Sequence, residues 1–149
     1  MPAAGLEWDL PDPFTIELEV VAADIDGLQH TNNTVYIQWS ERVAWAHSVS
    51  LGLDLACYQQ LNRAMVIIRS EFDYLASSRL GDKISVATWI TNWDGKLTME
   101  RRFQVLRIND GATLVRGRMR FACIDLTSGK ARRMPAEFIQ GYGKALTPA

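Results

Sequence analysis

The chain has 149 residues, 48% hydrophobic and 22% charged, with a formal net charge of −1. That length suits a single domain spanning 1–149 that fills its own core, and the composition is that of a globular protein. A near-neutral chain lacks the basic footprint of a nucleic-acid binder, and any anionic ligand has to be met by local cations. Cys57 and Cys123 are too isolated for a metal cluster and read as buried free thiols, so neither a metal nor a cofactor is expected. No apolar run approaches the ~18 residues of a membrane span. Residues 1–13, rich in proline and acid, lack the basic start of a signal peptide and read as an N-terminal extension. These features predict a cytoplasmic protein that engages neither membrane nor nucleic acid.

Along the chain, Phe14, Ile16, Leu18 and Val20 alternate with Thr15, Glu17 and Glu19, the period-2 pattern of a half-buried strand. A polar loop follows. Tyr36, Trp39, Val43 and Ala46 then fall at helical spacing, with Val35 and Val49 widening the stripe. With Asn32 or Asn33 as N-cap and Gly52 just beyond the end, the pattern predicts a helix over 33–50, followed by a short helical turn within 54–63.

From Ala64 the period changes. Ala64–Phe72 reads as a strand, and Gly81-Asp82 turns into a longer one over Lys83–Trp93. Asp94-Gly95 is a hairpin signal before Leu97–Ile108, and Asn109-Asp110-Gly111 leads into Ala112–Asp125. Thr127-Ser128-Gly129 turns into a last short segment at Ala131–Met134, after which Pro135 opens a terminal helical turn carrying Phe138 and Ile139. Tight turns imply antiparallel pairing. The prediction is an α+β domain in which one long helix is wrapped by an antiparallel sheet of five to six strands. One helix covers one face only, so another face or edge of the sheet is expected to meet a second copy.

The functional signal lies in residues 24–42. A strand ends near the carboxylates Asp24 and Asp26, and a polar loop runs directly into the long helix. A carboxylate is thereby set beside the N–H groups of a helix start, where negative charge developing on a substrate oxygen is stabilised. That combination suits acyl transfer. A thioester carbonyl needs such a dipole together with a base for water or a carboxylate nucleophile, and Asp26 is suited to either role.

The string Asp-x-Asp-x-x-x-His-x-Asn-Asn-x-x-Tyr from Asp24 to Tyr36, followed by Trp39, Glu41 and Arg42, resembles the hotdog-fold thioesterases of the 4-hydroxybenzoyl-CoA thioesterase type. With the order of elements, the resemblance covers roughly residues 14–140. It implies hydrolysis of acyl-CoA to free acid and CoA by a homodimer or homotetramer whose sheets join edge to edge, with active sites at the subunit interface. It puts the catalytic carboxylate on Asp26 and the carbonyl-polarising amide near Asn33. His30 would position the loop or the water, while Asn32 and Tyr36 fall at substrate-contact positions. Asp24 is expected to bond loop amides instead.

Plant acyl-carrier-protein thioesterases resemble this stretch too, with an Asn two residues after the aspartate. Leu28 stands there in this chain and turns the reading away from that branch. Another hotdog branch carries its carboxylate on the long helix, which makes Glu41 the alternative; His47, further along, reads as packing or surface. For CoA phosphates the resemblance points to Lys96, Arg132 and Arg133, although Asp94 replaces a base found in some members. Arg116, Arg118 and Arg120 alternate along one strand, which suits an outer face, an oligomer interface or an ion-pair ladder. Trp45, Tyr58, Met65, Phe72 and Tyr74 are candidates for an acyl pocket, though each reads first as core. An enoyl-CoA hydratase or dehydratase and a non-catalytic acyl-CoA-binding protein remain as alternatives. The Asn-Asn-x-x-Tyr string favours the thioesterase.

Overall fold

Tight turns and one continuous apolar strand set the architecture. A computed structural model describes residues 5–148. It contains, in order, β1 (Phe14–Glu19), α1 (Asn33–Ser50), α2 (Leu55–Leu61), β2 (Arg63–Tyr74), β3 (Lys83–Trp93), β4 (Thr98–Arg107), β5 (Thr113–Asp125) and α3 (Ala136–Gly143). The strands form a single sheet in the order β1-β3-β4-β5-β2, with every neighbouring pair antiparallel. The β3–β4 turn closes because the Asp94 carboxylate accepts the backbone N–H groups of Lys96, Leu97 and Thr98, an Asx-type cap. No helix among the described residues is long and apolar enough to cross a membrane.

The sheet has five strands, and the segment Ala131–Met134 does not become a sixth. Ala131 makes one isolated bridge to Ile124, after which Arg132 N–H turns to the Cys123 carbonyl and Met134 N–H to the Lys96 carbonyl. Pro135 then lacks the donor needed to continue a ladder.

Helix α1 lies across the inner face of the sheet. Val35, Tyr36, Trp39, Val43 and Ala44 are buried there, but the stripe drifts toward the C-terminus. Val49 is 56% exposed while His47 and Ser48 are buried. The reason is a cation beneath them. Arg101 on β4 alternates with Met99 and Phe103 on the inner face and is only 1% exposed. Its Nη1 lies 2.9 Å from His47 Nδ1 and 3.4 Å from Thr88 Oγ1, and its Nη2 donates to Ser48 Oγ at 3.3 Å. The Tyr142 ring covers the guanidinium at 5.9 Å, and the Tyr142 hydroxyl bonds those of Ser48 and Tyr58. A guanidinium accepts no hydrogen bond, so His47 Nδ1 must be the bare nitrogen and Nε2 must carry the proton. Burial, then the Arg101 charge, holds the His47 pKa down at about 4. Burial also lowers Arg101 to about 10, which leaves it cationic at neutral pH.

The outer face is partly strapped by the N-terminal extension. Trp89 Nε1–H donates to the Pro11 carbonyl at 2.9 Å, Asp9 N–H to Gln104 Oε1 at 2.8 Å, and Asp9 pairs with Arg116 at 2.7 Å. β3 is thereby covered on both sides, which accounts for its unbroken buried run from Ile84 to Ile90. Arg116, Arg118 and Arg120 are all exposed on this outer face, the first two paired with Asp9 and Glu100. The two free thiols differ: Cys123 is buried, whereas Cys57 is only half-buried.

Two stability outcomes follow from this packing. His47 has a folded pKa of about 4 against 6.5 when unfolded, so its contribution is fully present above pH 6.5 and is lost as pH falls through about 4. Urea midpoints should therefore decline across that window, less steeply in His47→Asn; parallel slopes would contradict the assignment. At Gly117 an added Cβ would sit 2.3 Å from the Phe72 ring. Gly117→Ala should cost about 1–3 kcal/mol in urea unfolding, partly recovered by Phe72→Leu in the same chain.

Candidate functional site

The loop between β1 and α1 is fastened at both ends by Asp24. Its Oδ2 accepts the Val21 N–H at 3.0 Å, and its carbonyl accepts the Asn32 N–H at 2.9 Å. Between these points Asp26 N–H donates to the His30 carbonyl and Gln29 N–H to the Asp26 carbonyl, with Gln29 in the left-handed region at φ 64°. The resulting turn holds the Asp26 side chain at its head. Asp26 Oδ1 accepts the Leu28 N–H at 2.9 Å, while Oδ2 has no partner among the described residues. A carboxylate fixed through one oxygen keeps the other available for a proton or a carbonyl carbon.

A buried hydroxyl cluster pins this loop to the sheet. Thr31 Oγ1 lies 2.7 Å from Ser78 Oγ, Tyr36 OH lies 2.8 Å from the same atom, and Thr31 N–H donates to the Ser78 carbonyl. The Tyr36 hydroxyl is thus committed to holding the loop, and only its ring is left to wall the site.

The helix start is decided by Asn32, not Asn33. Asn32 Oδ1 accepts the Thr34 N–H at 2.9 Å and the Thr34 hydroxyl at 2.8 Å, so its oxygen is spent as a cap, and only the donors on Nδ2 are left for a substrate. The Asn32 amide is spent on Asp24, the Thr34 amide on the cap, and the Val35 amide on the Asn32 carbonyl. The Asn33 N–H has no acceptor among the described residues. It points out of the positive end of an 18-residue helix, where backbone dipoles attract negative charge.

Asp26, His30, Asn33 and the Tyr36 ring line one polar cleft of about 440 Å³, closed on the far side by Tyr74 and Leu75 at the end of β2. Leu28 stands 76% exposed at its edge. The cationic residues are elsewhere. The loop is tied to Ser78, five residues ahead of β3, whereas Lys96 follows the far end of that strand and its carbonyl holds Met134, next to Arg132 and Arg133. β3 has 11 residues, about 35 Å of extended chain. Within one protomer, therefore, Lys96, Arg132 and Arg133 do not meet Asp26. Arg132 moreover pairs with Asp125 at 2.8 Å, and Asp125 is held at about 2 by the Ser128 N–H first and by Arg132 second.

A second cavity, about 200 Å³, opens between α1, α2 and the inner face of the sheet. It gathers Trp45, Tyr58 and Met65 from the acyl-pocket candidates; Tyr74 lies in the polar cleft and Phe72 in neither, since it covers Gly117. Glu41 lines this second cavity and is separate from the Asp26 cleft, so the two candidate carboxylates serve different places. Arg101 and Tyr142 also line it. Neither was anticipated from sequence, although the alternation Met99, Arg101, Phe103, Val105 already puts Arg101 on the apolar side of its strand. Among the described residues no group of three His, Cys, Asp or Glu side chains is placed to hold a metal ion.

Comparison with known proteins agrees with the fold. A 1,4-dihydroxy-2-naphthoyl-CoA thioesterase from Synechocystis superposes with a TM-score of 0.80 at 20% identity, covering 89% of this chain and 96% of its own. A Staphylococcus aureus protein solved in complex with CoA gives 0.81 at 21% identity, covering 94% and 89%. At these identities the likeness is one of fold. By sequence, Protein THEM6 of Danio rerio is 32% identical over 85 residues, 56% of this chain and 42% of that protein. The match thus spans less than half the length of this curated relative. The family model of the thioesterase-like superfamily matches residues 7–141, nearly the whole chain, and the chain belongs to that superfamily.

Proposed function

We propose that this protein hydrolyses acyl-CoA thioesters to free acid and CoA, with Asp26 as base or nucleophile and the Asn33 amide as the donor that polarises the thioester carbonyl. One observation carries the reading: a carboxylate oxygen and a helix-start N–H, both without protein partners, face a single cleft. Membership of the superfamily supports thioester cleavage in general terms. As the carbonyl carbon becomes tetrahedral its oxygen gains negative charge, and a preorganised N–H at a helix start stabilises that charge without reorganisation. Asp26 Oδ2 then either takes a proton from attacking water or bonds the carbonyl carbon itself, expelling the CoA thiolate and leaving an anhydride for water to cleave.

The separation of cleft and cations finds an answer in a second copy. β2 is a 12-residue edge strand on which Ile67, Ile68 and Tyr74, with Leu75 just beyond it, are at least 39% exposed, and a strand edge of that length offers unpaired backbone groups to a partner. The polar cleft adjoins the C-terminal end of β2 and the second cavity its N-terminal end, where Met65 pairs with Cys123 and Cys123 in turn bonds Leu97. Antiparallel pairing of two β2 strands therefore brings one protomer's Asp26 beside its partner's second cavity and basic corner. This supports a homodimer, alone or paired into a tetramer, with each site built from two chains.

Asp26→Asn should lower kcat on a panel of acyl-CoA thioesters by about 10²–10⁴-fold with the fold intact; full activity would sink the mechanism and direct attention to Glu41. Asn33→Pro removes only the unpartnered N–H at a position that tolerates proline, and Asn32, with φ −60° and ψ 137°, already has the geometry that precedes one. The expected loss is about 10²–10³-fold in kcat, with Asn33→Ala close to wild type; equal losses in both would show that the side chain, not the amide, matters. Enoyl-CoA hydration without thioester cleavage would overturn the reading altogether. Light scattering should find a dimer or tetramer that Ile68→Lys converts to monomer with loss of turnover. A wild type that is monomeric and fully active would exclude the shared site.

A further inference from the structure

Arg101 is a full positive charge with no negative partner. None of the ion pairs among the described residues involves it, and its three hydrogen-bonded neighbours, His47, Ser48 and Thr88, are all neutral. Three hydrogen bonds leave two of a guanidinium's five N–H groups unassigned. Buried cations are ordinarily paired, because the protein interior returns far less solvation than water does. Here the group is held rigidly instead, from α1 and β3 on one side and by the Tyr142 ring on another, at the floor of a cavity of about 200 Å³.

Most of the remaining lining is apolar and polarizable. Trp45, Met65, Met99, Met119 and Phe121 wall it, so water competes poorly for Arg101 and an entering anion meets a low local dielectric. Glu41, exposed, stands on the same lining. The charges of the cavity are therefore ordered, with an exposed negative group and a buried positive one. The volume is below the ~300–1,000 Å³ of pockets for drug-sized ligands, which limits the occupant to a short chain.

We propose that this cavity is an acyl subsite for a short acyl group ending in a carboxylate, and that Arg101 is the residue that selects it. The identification of the occupant as an acyl group rests on the thioesterase reading above and on the two-chain site proposed with it; the anion site itself rests on Arg101 and its surroundings. Hydrolysis of such a substrate consumes water, breaks the C–S bond and forms a C–O bond. It releases CoA thiol, a dicarboxylate and a proton. A planar fork of donors suits a terminal carboxylate better than a hydroxyl or a methyl group does.

The test pairs turnover with binding, using glutaryl-CoA, hexanoyl-CoA and glutarate itself. Wild type should favour glutaryl-CoA over hexanoyl-CoA by about ten-fold or more in kcat/KM, the size of one charge-assisted pair. Glutarate should bind by calorimetry and raise the Tm. In Arg101→Met the ratio of the two kcat/KM values should fall to about one or below, and glutarate binding should vanish. Arg101→Lys should retain part of both, which keeps the experiment decisive should the methionine variant fail to fold. Cleavage of hexanoyl-CoA at or above the glutaryl rate, with no glutarate binding to wild type, would overturn the anion site. Glutarate binding that depends on Arg101 in a protein that cleaves no thioester would uphold the site and defeat the thioesterase reading.

Discussion

Everything at the polar cleft depends on three buried hydroxyls. Thr31 from the loop, Tyr36 from α1 and Ser78 from the link into β3 share hydrogen bonds of 2.7 and 2.8 Å, so the loop, the helix and the sheet cannot move independently there. A helix-start amide is useful to catalysis only if it is already aimed when charge develops. Asp24 secures the backbone on either side of Asp26, and Asn32 uses up the neighbouring amides. What remains is one N–H and one carboxylate oxygen facing the same space. The polar chemistry of this loop is therefore mostly restraint, and the two groups proposed as reactive are among those that restraint has left over.

The second cavity follows a different electrostatic logic. The cleft near Asp26 is polar and partly open, so its groups work in a dielectric close to that of water. Arg101 is buried, where a charge is costly to hold and correspondingly strong in attraction. His47 serves it as a neutral acceptor, and the lowered pKa of that imidazole is a consequence of the arrangement, burial contributing more than the guanidinium. The edge strand β2 links the two places, since its two ends border the two cavities. The pairing across β2 proposed above would bring them together between chains, as no single chain does.

Local pattern accounts for much of what was legible beforehand. The helix over 33–50 and the strands β1, β3, β4 and β5 follow from periodicity and turn residues, because amphipathic spacing and hairpin chemistry act over a few neighbours. Asp24 as a loop fastener was visible for the same reason, whereas which helix-start amide stays free was not, because the hydrogen bonds of Asn32 and Thr34 decide it. What spacing left open or misplaced is all long-range. Ala131–Met134 was the short segment that left the sheet at five to six strands, and its amides go to alternate partners. Val49 belonged to the apolar stripe by spacing, yet His47 and Ser48 are buried in its stead because Arg101 lies under them. The extension at 5–13 carried no structural signal, though Trp89 and Gln104 bind it from 78 and 95 residues away.

By itself, then, the sequence determined the elements, their antiparallel connection and the loop that bears Asp26, since each depends on contacts close along the chain. Only the tertiary structure decided that Lys96, Arg132 and Arg133 lie at the opposite end of the sheet from that loop. It alone showed that Glu41 and Asp26 face different cavities, and that an arginine sits unpaired in the core. Those are matters of which strand passes beside which and which face is dry, and burial and charge pairing are settled by neighbours that sequence spacing does not identify.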